Sequence, residues 1–283
     1  MLMIIGLMGA LACAPAQGRG PDTMTLVQAE APVEERLWDL LQLSELMPVL
    51  REESLREARR MEAEGLIEGA GPPWSDTVAR IHEPARMRAL FLDGVRPALE
   101  RAEPGLLAQA MAFHASPLGQ RVLRLETSAR LAMLDEDLDA DARATAFLTR
   151  DTPRGRQIAD LIRAADLIGP NVAGGMNAVI GFSRGFAEGG GYAMPPDPRE
   201  IVADAWAQRD QIEAETTEWL HAFLTLAYGP LSDEELRAYT EFAASAEGRL
   251  LSRLLFSGFD ALFGQTAFDM GLAAALRVEG QQL

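Results

Sequence analysis

The chain of 283 residues carries one cysteine, three histidines and no lysine, and aromatic residues make up only 6% of it. Each shortage excludes something. The single thiol, Cys13, lies in the first apolar run, so nothing beyond it can form a disulfide or a cysteine-ligated metal centre. The histidines are His82, His114 and His221, and no two stand at the i, i+4 spacing of a zinc-binding helix. His82-Glu83 lacks the second histidine of a zinc protease motif, and each of the three reads as a surface or half-buried helical residue. With lysine absent, all 26 basic side chains are arginine, which we read as the codon bias of a GC-rich genome. Selection for the guanidinium's bidentate fork would not strip lysine from every exposed helix position. The formal net charge of -16 argues against binding nucleic acid, and against docking on anionic lipid through a basic patch.

What is present begins with a leader. Met1 to Ala12 is uncharged and apolar, too short to span a bilayer, and fits the apolar region of a signal peptide. Ala14-Pro15-Ala16 before Gln17 supplies an A-x-A cleavage site, so residues 1–16 read as a signal peptide and 17–30 as a flexible polar tether. The mature chain is then expected in the periplasm, with no transmembrane span once the signal is removed. The alternative is a lipoprotein signal at Ala10-Leu11-Ala12-Cys13, in which Ala10 replaces the larger aliphatic residue that such signals favour.

Beyond the leader the apolar spacing is helical throughout. Leu43, Leu46, Met47 and Leu50 recur at i, i+3, i+4 and i+7, as do Leu251, Leu254, Leu255 and Gly258. The chain also aligns on itself. Asp39-Leu40-Leu41 returns as Asp160-Leu161-Ile162, an offset of 121 (160 − 39), and Phe113, Ala115, Ser116 and Gly119 return as Phe242, Ala244, Ser245 and Gly248, an offset of 129 (242 − 113). The extra length is expected in the Gly/Pro-rich stretch from Gly185 to Pro198. The reading is an all-α bundle of two pseudo-repeats, residues 31–134 and 152–265, with about three to four helices each. An acidic linker with a short helix would join them over 135–151, and a C-terminal tail would follow over 266–283.

Helix starts repeat too. Ser232 with Glu235 forms a capping box, and Glu103-Pro104 matches it with proline at the first helical position. Ser116-Pro117-Leu118-Gly119, Thr152-Pro153-Arg154-Gly155 and Ser245-Ala246-Glu247-Gly248 each place a hydroxyl at an N-cap and glycine three residues on, where the missing Cβ permits close helix approach. The run Phe113-His-Ala-Ser-Pro-Leu-Gly-Gln, and Leu231-Ser-Asp-Glu-Glu-Leu leading into Phe242-Ala-Ala-Ser-Ala-Glu-Gly-Arg, resembles the signature of the bacterial family known as domain of unknown function 2059. That resemblance rests chiefly on roughly the last fifty residues, and Ala246 stands where the family has proline. It implies an exported helical protein and brings no activity with it.

Three motifs touch on chemistry. Gly181-Phe182-Ser183-Arg184-Gly185 matches the G-x-S-x-G elbow of serine hydrolases, with acidic residues and His221 following in that class's order. The elbow needs a strand before the serine, and the sequence offers none, so a hydrolase at Ser183 is a disfavoured alternative. Asp135, Asp137, Asp139 and Asp141 alternate like a calcium loop, yet Ala140 and Ala146 occupy the glycine and bidentate glutamate positions. The acidic run is expected as a solvated linker in which Asp139 or Asp141 caps a short helix. The uncharged run Ile168 to Phe182, with Gly174, Gly175 and Gly181, reads as a buried helix of the second half.

No catalytic, cofactor or metal residue emerges. The expected role is a non-catalytic envelope protein that binds a protein partner or itself. A carrier holding an apolar ligand between helices is the alternative.

Overall fold

The computed structural model describes residues 31–65, 67 and 72–279. The signal peptide, Cys13, Gln17 and the tether read from the sequence lie outside the described residues. Among those described there are thirteen helices and no strand. The first six are α1 (Val33–Leu40), α2 (Leu43–Ala63), α3 (Trp74–Ile81), α4 (Pro84–Leu99), α5 (Pro104–Ala115) and α6 (Pro117–Ala132). Then come α7 (Glu136–Thr149), α8 (Pro153–Ala164), α9 (Ile168–Glu188), α10 (Pro198–Ala207), α11 (Arg209–Tyr228), α12 (Asp233–Ala244) and α13 (Ala246–Glu279).

The architecture is all-α, as the periodicity implies, but finer-grained than three to four helices per half. Six helices precede α7 and six follow it. α2 and α9 have 21 residues each, and α5 and α12 have 12 each. A left-handed residue precedes both 21-residue helices, Gln42 at φ 54° and Asp166 at φ 50°. α8 has 12 residues against 8 in α1, and α11 has 20 against 16 in α4.

The acidic segment is a full helix of 14 residues with Asp135 as its N-cap, accepting from the Asp137 and Leu138 amides. Ala142 and Ala146 seat it on Ala222 of α11. A stretch expected as a solvated linker is thus a packed element, because two alanines on one face suffice to dock it. Residues 266–279 are likewise no tail, since they continue α13 and bury Ala267, Met270, Ala274 and Ala275.

All three hydroxyl–glycine corners form. Ser116, Thr152 and Ser245 accept from the Gly119, Gly155 and Gly248 amides at 3.1, 3.1 and 3.0 Å. A Cβ on those glycines would stand 2.3, 2.2 and 2.1 Å from the carbonyl oxygens of Phe113, Thr149 and Phe242. Glycine is therefore what allows each helix to double back on the last turn of its predecessor.

Each of the two larger cores draws helices from both sides of α7. Leu37, Trp38, Leu46, Phe91, Val95 and Leu99 of α1, α2 and α4 pack with Leu254, Phe259 and Leu262 of α13, where Phe91 meets Phe259 edge-on at 4.9 Å. Val122 and Ala129 of α6 join Ile158, Leu161, Leu220, Leu224 and Leu236 of α8, α11 and α12. Where the two meet, Phe113 of α5 and Phe242 of α12 stack with centroids 3.8 Å apart and planes 4° off parallel. These are the two residues that the self-alignment pairs.

α9 lies along α13 in the most extensive helix pair of the molecule. A Cβ on Gly185 would stand 1.9 Å from the Phe268 carbonyl oxygen, and one on Gly271 would stand 2.0 Å from that of Phe182. The small residues of α9 thus bury one face against the same chain. The opposite face, with Gly169, Ala173 and Asn177, is exposed, so the helix is half as buried as its uncharged sequence suggests.

Candidate functional site

The exposed face of α9 and the start of α13 enclose a groove of about 520 Å³. Pro170, Ala173 and Gly174 form one wall, and Phe256, Ser257 and Phe263 form the other. Gly174 opens it, since a Cβ there would meet nothing within 4 Å. Both charge signs stand along it, with Arg249 and Arg253 accompanying Asp166 and Asp260.

Asn171, Ser252 and Phe256 line this groove and also a smaller inner cavity of about 140 Å³. The inner walls come from α5, α6, α9, α11, α12 and α13. Its apolar side is Leu220, Phe223, Leu224, Leu251 and Leu255, and its polar side gathers His114, Glu126, Asn171, Tyr228 and Tyr239. Glu126, on α6, is buried and accepts the Tyr228 hydroxyl at 2.5 Å and the Tyr239 hydroxyl at 3.4 Å. Burial first, and then the neighbouring Glu126 carboxylate, push both phenols well above their ordinary range. They stay protonated and keep donating.

His114 is 5% exposed, and burial lowers its pKa to about 4. Its Nδ1 stands 3.3 Å from the Ala110 carbonyl, which can only accept, so Nδ1 carries the hydrogen and Nε2 is a bare acceptor. Asn171 is 6% exposed; its Nδ2 donates to the Leu167 carbonyl at 2.7 Å, which fixes the amide's orientation, and its Oδ1 has no partner. A buried amide oxygen left unpaired costs about 1–3 kcal/mol.

The sequence motifs fall elsewhere. Ser183 sits within α9, five residues before its last, with no strand before it, so the geometry of a nucleophile elbow is not there. Asp139 pairs with Arg143 at 2.7 Å, and Asp135 caps α7. Among the described residues no group of three or more His, Cys, Asp or Glu is placed to hold a metal ion. His82 and His114 are buried rather than surface residues, and His221 is half-buried, with burial lowering the pKa of each. Sequence reasoning missed the polar wall altogether. The signal was available in the self-alignment, where His114, Glu126, Tyr228 and Tyr239 stand opposite Ala243, Leu255, Leu99 and Ala110. At each of the four aligned positions a polar residue answers an apolar one.

A second buried charge lies nearby. Arg130 grips Glu53 through Nε and Nη2 at 2.6 and 2.7 Å and stacks on Trp219 at 5.5 Å. It ties α6 to α2 and α11 and faces neither cavity.

No helix among the described residues is long and apolar enough to cross a membrane. Compared with protein-family models, curated proteins and solved structures, the chain finds no match.

Proposed function

We propose that the protein is a non-catalytic binding protein of the cell envelope that holds a small, largely apolar molecule in the groove between α9 and α13. The observation that carries this reading is the continuity of an open, apolar-walled groove with a buried cavity, at a place where the fold could have closed on itself. A Cβ at Gly174 would enter open space, so a larger side chain there would fill the groove without touching the core. The leader supports export to the periplasm, and the resemblance to domain of unknown function 2059 supports the same compartment. The six helices on either side of α7, the two left-handed residues and the Phe113–Phe242 stack support a duplicated six-helix unit. A non-catalytic role is supported by the position of Ser183 within a helix.

The test is mass spectrometry of small molecules extracted from protein purified from its own host, beside a Gly174→Phe variant. The wild type is expected to release a defined compound, which the variant lacks while melting at the wild-type temperature. A wild type that releases nothing, or a variant that retains the compound, refutes the assignment. A protein-binding role has its own support at α10, where Trp206 is 60% and Val202 41% exposed beside a second groove along α9. Trp206→Ala together with pull-down from envelope extracts tests that reading.

A further inference from the structure

The inner cavity has a chemical polarity that names the head group it takes; this step rests on the groove being a binding site. We propose that the ligand is an amphiphile whose head bears N–H or O–H donors, an amine or alcohol, seated against Asn171 and His114 with its apolar part in the outer groove.

Each polar group of the inner wall accepts. Asn171 Oδ1 is buried without a partner, while the amide nitrogen beside it is committed to Leu167. His114 offers a lone pair at Nε2, because Nδ1 is committed to Ala110. Glu126 Oε1 accepts as well, since both tyrosine hydroxyls direct their hydrogens at it. Ser252 alone, at the junction of the two spaces, has a hydroxyl able to turn either way. A head group that also accepts, such as a carboxylate or phosphate, would face the lone pairs of Asn171 Oδ1 and His114 Nε2. A head that donates would satisfy the orphaned Asn171 oxygen.

The outer groove does not reverse this choice, since Arg249 and Arg253 are matched by Asp166 and Asp260 along its exposed rim. Leucine and alanine side chains, among them Leu224, Leu251, Leu255 and Ala243, line the rest of the same cavity, so its polar groups are gathered on one wall.

The experiment is calorimetric titration of the folded protein with 1-octanol, n-octylamine and octanoate in buffer of physiological ionic strength, where long-range attraction of the amine to an acidic protein is screened. The alcohol and the amine are expected to bind, with octanoate at least tenfold weaker. Octanol is the decisive arm, because it is neutral and gains nothing from net charge. In Asn171→Leu the octanol and amine affinities should fall about tenfold towards that of octanoate. Tyr239→Phe, which removes one donor to Glu126 and keeps the ring, provides a second variant, with circular dichroism establishing that both are folded. Equal binding of all three probes, or tighter binding of octanoate, overturns the head-group assignment and leaves the groove a binding site. Binding of none overturns the binding-protein reading itself.

Discussion

Replacing Gly185 by alanine tests the contact between α9 and α13 at its tightest point. The new methyl carbon would stand 1.9 Å from the Phe268 carbonyl oxygen and 2.8 Å from the carbonyl carbon. Ordinary carbon contacts lie at roughly 3.5–4.0 Å. The obstacle is the main chain of another helix, so no side chain can swing aside, and relief means parting the helices and losing their dispersion contacts. Overpacking of this kind costs about 1–3 kcal/mol, and the severity here places Gly185→Ala at the upper end. Alanine in a helix interior returns roughly 1 kcal/mol, which leaves a net loss of about 2 kcal/mol. At about 2–4 °C per kcal/mol for a chain of this size, the midpoint should fall by roughly 4–8 °C. Gly174 supplies the control, being in the same helix with nothing within 4 Å of its Cβ. Gly174→Ala should gain the propensity term alone, about 0.5–1 kcal/mol. Gly181→Leu meets the Gly264 carbonyl oxygen at 2.8 Å and should cost about 1–3 kcal/mol without altering self-association. Thermal and urea melts followed by helix circular dichroism compare the three. If Gly185→Ala melts at or above Gly174→Ala, the helices do not meet as described and the reasoning fails.

Other outcomes follow from the buried groups. Between its ordinary value of 6.5 and about 4, His114 is protonated in the unfolded chain and neutral in the folded one. The unfolded state thus binds more protons there, and stability falls as pH drops through that window, by about 3 kcal/mol in all. His82, lowered by burial too, adds in the same direction. His114→Gln should flatten the slope, and an unchanged pH profile of urea midpoints would count against a neutral buried imidazole. Phe259→Ala removes a ring buried against Phe91 and should cost about 3–5 kcal/mol by urea titration; a loss under about 1 kcal/mol would mean that α13 does not complete the first core. By the same logic a fragment of residues 31–134 alone should show no cooperative melt, because Leu254, Phe259 and Leu262 are missing from its core. Arg130→Ala strands Glu53 and uncovers Trp219, for a loss of about 3–5 kcal/mol; a near-neutral result would make the pair ornamental.

How much of this was legible in the sequence depends on the kind of signal. The three corners were readable residue by residue, because an N-cap hydroxyl and a glycine have local jobs that need no knowledge of the rest of the fold. The same holds for the Ser232–Glu235 capping box, whose two hydrogen bonds are both present. Helix α7 was missed as a packed element because its docking face is two alanines, too slight an apolar stripe among so many aspartates to register as periodic. That α13 packs with α1, α2 and α4, and α6 with α8, α11 and α12, was invisible, since an apolar stripe states that a helix is buried and not what buries it.

The polar wall was missed for a different reason, and that reason bears on function. Glu126, Tyr228 and Tyr239 are far apart in the chain, and none stands in a recognisable motif; they become a set only when three helices converge. Burying a carboxyl group, a neutral imidazole and an unpaired amide oxygen carries a desolvation penalty that an apolar filling would avoid. A departure from local consistency of this sort is where function is expected to reside. Here it coincides with a place where an outer groove reaches an inner cavity through shared residues, Asn171, Ser252 and Phe256. Two independent features, an opening in the packing and a buried polarity that carries a penalty, thus select the same few side chains.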